Sequence, residues 1–123
     1  MNSQGLTRWQ QRVYTCVVDS SEQMNLMLIA EGGAGKTYVL NRIQQATSAI
    51  IVDGLKDDPK LVREAAEREN IVLLDEAGAF SHYTELKELL VEFPTVQFVV
   101  ATQPACPPMK LIEPEFEVIS PDE

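Results

Sequence analysis

The chain has 123 residues, 45 % of them apolar, and a formal net charge of −9; that is the size of one domain around one core. The acidic excess all lies late in the chain: residues up to Arg68 balance at 8 acidic and 8 basic, while from Glu69 onward 11 acidic residues face only Lys87 and Lys110. This excludes a broad basic face for tracking nucleic-acid phosphates; two cysteines and the single His82 argue against a disulfide framework or a His-based metal cluster, and no apolar run is long enough to span a bilayer.

Met1 leads straight into polar sequence, so no targeting leader is expected, and an intracellular protein is. Leu6, Trp9, Val13, Cys16 and Val17 recur at helical spacing, and Thr7 with Gln10 reads as a capping box. A helix is predicted over 6–22, ahead of a core at 24–120, the whole of 1–123 being one domain. Trp9 belongs to that core, with stacking on an adenine ring as the alternative. The run MNLMLIA at 24–30 suits a buried strand, and the Gly-rich AEGGAGKT overlaps its end. A helix in TYVLNRIQQA and a second strand in AIIV (49–52) come next. Asp58 and Pro59 form an N-cap and first turn for a helix carrying Leu61, Val62, Ala65 and Ala66.

NIVLLDEAG (70–78) reads as a strand ending in two acids. Ser81 can cap a helix with Leu86, Leu89 and Leu90 on one face, stopped before Pro94. VQFVVA (96–101) and FEVIS (116–120) are the fourth and fifth strands. This alternation predicts an α/β fold with a mainly parallel sheet covered on both faces.

The chemistry begins at AEGGAGKT, where Ala30 holds the first glycine position of the phosphate-loop pattern G-x-x-x-x-G-K-[ST]. Gly32, Gly33 and Gly35 let backbone N–H groups turn toward a phosphate chain, and the next helix offers its positive N-terminus to the same phosphates. Lys36 can reach the β- and γ-phosphates, and the Thr37 hydroxyl can ligate Mg²⁺. The stretch Glu31, Gly32, Gly33, Ala34, Gly35, Lys36, Thr37 and Tyr38 is thus the candidate nucleotide-binding segment.

Asp75 and Glu76 close an apolar strand, at the edge where open α/β sheets bind ligands. Asp75 would hold Mg²⁺, and Glu76 would orient or deprotonate an attacking water. Thr102 or Gln103, at the end of the next strand, could sense the γ-phosphate or only start a turn. Lys87 lies among Glu85 and Glu88, where an ion pair is the plain reading. His82 and Cys106 read as structural or surface groups.

The order of these motifs resembles the superfamily 3 helicase (ATPase) domain of replication-initiator proteins from small circular single-stranded DNA viruses and their satellites. LTRWQQRV is similar to the family's L-x-x-W-Q opening, and EGGAGKTYVLNRI to its phosphate loop and helix. DGLKDD resembles the turn between its two nucleotide motifs, IVLLDEAG its Walker B strand, and SHYTELKELL the segment leading to a DNA-contacting hairpin. FVVATQPACPPMKLIEPEFEVIS resembles motif C, its proline-rich loop and the closing strand.

The resemblance implies an AAA+-like P-loop NTPase with five core strands in the order 5-1-4-3-2. It implies rings, commonly hexamers, that hydrolyse ATP with Mg²⁺ at subunit boundaries and move along single-stranded DNA. Lys36, Thr37, Asp75 and Glu76 carry over directly, Thr102 falls where the family has a sensor asparagine, and Lys87 falls near the DNA-contacting element. The implied compartment is the host nucleus for a eukaryotic virus and the cytoplasm for a bacterium or phage.

The sequence also departs from the family. Few residues are left for the hairpin after Walker B, EPEF (Glu113–Phe116) replaces an arginine-bearing stretch, and no arginine follows Arg68. The family's preceding nicking-joining domain is not in this sequence, so either an excised domain or a reduced stand-alone relative is expected. Two other readings stay open. One is a small AAA+-like or FtsK/HerA-like motor with Gln103 as its sensor; the other is a nucleotide-dependent binding module without turnover. A nucleotide kinase is disfavoured by the missing arginine-rich lid and by Glu76.

Overall fold

The apolar runs that read as buried strands pair side by side in one sheet. The computed structural model describes residues 5–19, 24–79, 83–104 and 106–121. Its strands are β1 (Leu26–Ile29), β2 (Ile50–Asp53), β3 (Ile71–Asp75), β4 (Gln97–Thr102) and β5 (Glu117–Ile119). All pairings are parallel and the order is β2-β3-β4-β1-β5, the expected 5-1-4-3-2 read from the other edge. The helices are α1 (Arg8–Tyr14), continued by a π-helical turn at Thr15–Asp19, α2 (Lys36–Ala46), α3 (Lys60–Arg68), α4 (Tyr83–Glu92) and the single turn α5 (Pro107–Lys110). Short 3₁₀ turns occupy Ala77–Ala79 and Glu113–Glu115.

The strand order dictates which helix covers which face. From β1 the chain steps over β4 and β3 to reach β2, and then returns through β3, β4 and β5 in the opposite direction. Right-handed crossovers running in opposite directions place their helices on opposite faces. Accordingly Val39, Leu40 and Ile43 of α2 pack with Trp9, Val13 and Tyr14 of α1 against Leu26, Leu28, Leu73 and Val99. Val62, Ala65 and Ala66 of α3, with Leu86 and Leu89 of α4, pack on the other face against Val52, Leu74, Phe98 and Val100. Trp9 is therefore a core side chain.

The chain reverses direction between β1 and β4, which are neighbours, so their C-terminal ends form a topological switch point. The register keeps the C-terminal edge level: Ile29 pairs with Thr102, and Asp53 with Asp75.

Helix ends follow local chemistry. Asp58 Oδ1 accepts the Lys60 N–H at 2.9 Å, the cap expected from Asp58-Pro59. Asp58→Ala is expected to cost about 1 kcal/mol, measured as a shift in urea unfolding. Of the four apolar residues read into α3, Val62, Ala65 and Ala66 are buried and Leu61 is 38 % exposed. Of the α4 residues, Leu86 and Leu89 are buried, while Val91 is 79 % exposed. Ser81 and His82 lie outside the described residues. Among the described residues no helix is long and apolar enough to cross a membrane.

Candidate functional site

The loop between β1 and α2 leaves the sheet at the switch point. Ala30 still belongs to the sheet edge: its N–H donates to Thr102 O at 3.1 Å, and its methyl is buried in the α1–α2 face. It needs no left-handed backbone, and this is why alanine serves at a position usually held by glycine. The left-handed turns fall at Gly33 (φ +85°) and Gly35 (φ +96°). Ala30→Gly is accordingly expected to lower stability by about 1 kcal/mol through lost burial and added chain entropy, read from thermal unfolding.

Helix α2 starts at Lys36, directly after Gly35, so its first N–H groups have no intrahelical partners and face the loop. Around Gly33 no atom lies within 4 Å of where a Cβ would stand, so the crest of the loop opens to a ligand. The Lys36 ammonium folds over the loop, donating to Ala30 O and to Glu31 O, the latter at 3.1 Å. Burial pushes its pKa below the ordinary 10.5, while the Glu76 and Asp75 carboxylates pull the other way.

Thr37 Oγ1 donates to Asp75 Oδ2 at 2.7 Å, across 38 residues of sequence. The other Asp75 oxygen accepts the Glu76 N–H at 3.0 Å, so the buried carboxylate is fixed at both ends. Glu76 itself is exposed and has φ +52°, the one non-glycine residue in the left-handed region among those described. Such backbone costs of order 1–3 kcal/mol and persists only where its surroundings impose it.

Sequence-distant segments complete the edge. A cleft of about 400 Å³ is lined by Lys36, Glu76, Gly78, Thr102, Gln103 and Cys106. Thr102 is 3 % exposed, with its hydroxyl 3.0 Å from where a Gly78 Cβ would stand. Gln103 is exposed, and its amide nitrogen comes within 3.9 Å of a Cβ placed on Gly32. A second depression of about 500 Å³, lined by Ala30, Glu31, Ala34, Ser120 and Pro121, flanks the loop on the β5 side. Tyr38 is exposed on the first turn of α2, its hydroxyl accepting from Arg42 at 2.9 Å.

The structure thus brings Glu31 through Thr37 together with Asp75, Glu76, Thr102 and Gln103. Lys87 stands apart on α4, exposed, with its ammonium 4.0 Å from Glu115 on the 3₁₀ turn before β5, a partner that helical spacing does not reveal.

Two contributors escaped the sequence reading. Gln10, read only as a helix cap, also donates through Nε2 to Gly35 O at 3.0 Å. Gly54 donates its N–H to Asp75 O at 2.8 Å from the end of β2.

The donor set suits a magnesium nucleotide. Thr37 and Asp75 offer hard oxygens, and among the described residues no cluster of three or more His, Cys, Asp or Glu side chains could cage a metal by itself. No protein-family model matches the sequence, and no curated protein matches it.

Proposed function

We propose that this chain is an ATP-hydrolysing domain with an AAA+-like P-loop fold, of the type found in superfamily 3 replication helicases. The observation that carries the reading is the 2.7 Å bond from Thr37 to Asp75, beside Lys36, at the switch point of a 5-1-4-3-2 sheet. Two motifs 38 residues apart meet where a phosphate-bound cation requires one hydroxyl and one carboxylate. Thr37 and Asp75 would hold a Mg²⁺ ion, which would supply positive charge against the phosphates. The residues Glu31 to Tyr38 supply backbone donors, and Lys36 exchanges the Ala30 and Glu31 carbonyls for phosphate oxygens. Glu76 takes a proton from, or orients, the attacking water.

In this reading subunits meet in a ring, a hexamer by likeness to the family, and single-stranded DNA is the partner. ATP hydrolysis is better supported than unwinding. Helix α4 ends at Glu92 and β4 begins at Gln97, so residues 93–96 leave no length for a DNA hairpin there. Lys87 is the DNA-facing candidate of that region.

The sensor position favours the motor alternative in one respect. Gln103 stands over the loop at Gly32, whereas the Thr102 hydroxyl is buried against Gly78. Loss of hydrolysis on Gln103→Ala but not on Thr102→Ala would place the domain with FtsK/HerA-like motors.

The test is steady-state ATP hydrolysis by wild type and Lys36→Ala, with and without single-stranded DNA, over a protein concentration series. Turnover that needs Lys36, rises steeply with concentration and responds to DNA is the expected result. Nucleotide binding without turnover under all conditions would replace the motor with a binding module.

A further inference from the structure

Gln10 is a polar side chain only 4 % exposed, and its amide joins two elements. Oε1 accepts the Thr7 N–H at 2.9 Å, which closes the cap of α1. Nε2 reaches across to Gly35 O at 3.0 Å. That same carbonyl accepts the Val39 N–H at 3.2 Å, the first bond of α2, so both of its lone pairs are engaged. A trans peptide points its N–H opposite to its C=O. Holding the Gly35 carbonyl from behind therefore aims the Lys36 N–H outward, from the head of α2 toward the concavity of the loop. The approach is close: a Cβ on Gly35 would stand 2.2 Å from Gln10 Nε2.

We propose that Gln10 is a positioning residue for phosphate binding, latching α1 to the loop so that the Lys36 amide faces the phosphates. This deepens the nucleotide-binding reading and rests on it. With its oxygen on Thr7 and its nitrogen on Gly35, the Gln10 amide acts inside the protein and does not read a base.

Gln10→Glu separates the two bonds. The carboxylate keeps an acceptor for Thr7, and Glu suits the third helical position of a capping box as well as Gln does. The donor to Gly35 is lost, and a carboxylate oxygen is set against a carbonyl. ATP affinity, measured by titration, is expected to weaken about tenfold. Turnover at saturating ATP stays within about twofold of wild type, since the chemistry at Glu76 is untouched.

Gln10→Met, of similar length but without a donor, gives the same affinity loss and decides the matter if Gln10→Glu does not fold. Gln11→Ala, on the same helix, binds ATP as wild type does. Wild-type affinity in Gln10→Glu and Gln10→Met, with binding abolished in Lys36→Ala, overturns the latch and leaves the nucleotide site standing. Wild-type affinity in Lys36→Ala as well removes the nucleotide reading itself.

Discussion

Glu76→Gln is expected to reduce ATP turnover by about 10²- to 10⁴-fold while leaving ATP affinity close to wild type. The substitution is isosteric and removes the negative charge together with the ability to take a proton. Glu76 follows Asp75 at the end of β3, with its backbone N–H on Asp75 Oδ1 at 3.0 Å, and its exposed side chain lines the cleft that holds Lys36. An amide there still fills the space and accepts a hydrogen bond, so substrate geometry survives while the base is gone. In the proposed nucleotide site a carboxylate gives the phosphates no attraction, so its loss does not lower affinity.

Asp75→Asn makes the contrast. Its Oδ2 meets the Thr37 hydroxyl at 2.7 Å, so Mg²⁺-dependent affinity falls together with turnover. Phosphate release and nucleotide titration on the two variants separate the roles. Near-wild-type turnover in Glu76→Gln would remove Glu76 from the chemistry and direct attention to Gln103.

The strands were legible because a parallel strand covered on both faces reads as an unbroken apolar run. Runs at 24–30, 70–78 and 96–101 became Leu26–Ile29, Ile71–Asp75 and Gln97–Thr102. Thr37 and Asp75 were each expected to serve one Mg²⁺, which implies that they lie near one another, but the direct bond between them was not read from the sequence. The segment after β4 was less so. Its prolines read as a loop, yet Pro107 starts a helical turn, because proline suits the first turn, where an N–H needs no partner. Leu61 lies at the flank of the stripe that Val62, Ala65 and Ala66 form at helical spacing, and it is left partly exposed. Gln10 and Gly54 could not be assigned from local pattern at all. Each touches a carbonyl more than 20 residues away, Gly35 in one case and Asp75 in the other. Only the tertiary fold creates those meetings.

Gly54→Ala is expected to lower turnover by about a hundredfold and to cost about 1–3 kcal/mol of stability. The glycine is required by proximity. A Cβ at position 54 would stand 2.5 Å from Glu76 O and 3.2 Å from Asp75 O, both backbone atoms that cannot swing aside as a side chain would. The surrounding turn holds its place firmly. Asp53 Oδ1 accepts the Leu55 N–H, Asp57 Oδ2 accepts the Asp53 N–H, and Asp57 N–H donates to Asp53 O, all at 2.8 Å. The added methyl must therefore push on the other party, the end of β3.

That strand end carries Glu76 at φ +52°, a conformation that its neighbours impose. Relaxing it turns the Glu76 carboxylate away from the cleft, and a shift of about 1 Å at a reacting group is enough for the loss expected. Asp75 is fixed through its side chain to Thr37, so ATP affinity falls less than turnover. Lys56→Ala, in the same turn, provides the comparison, since its side chain lines neither cavity beside the loop. Gly54→Ala that hydrolyses ATP as fast as wild type would show that the turn after β2 does not set the position of Glu76, and the left-handed backbone there would need another cause.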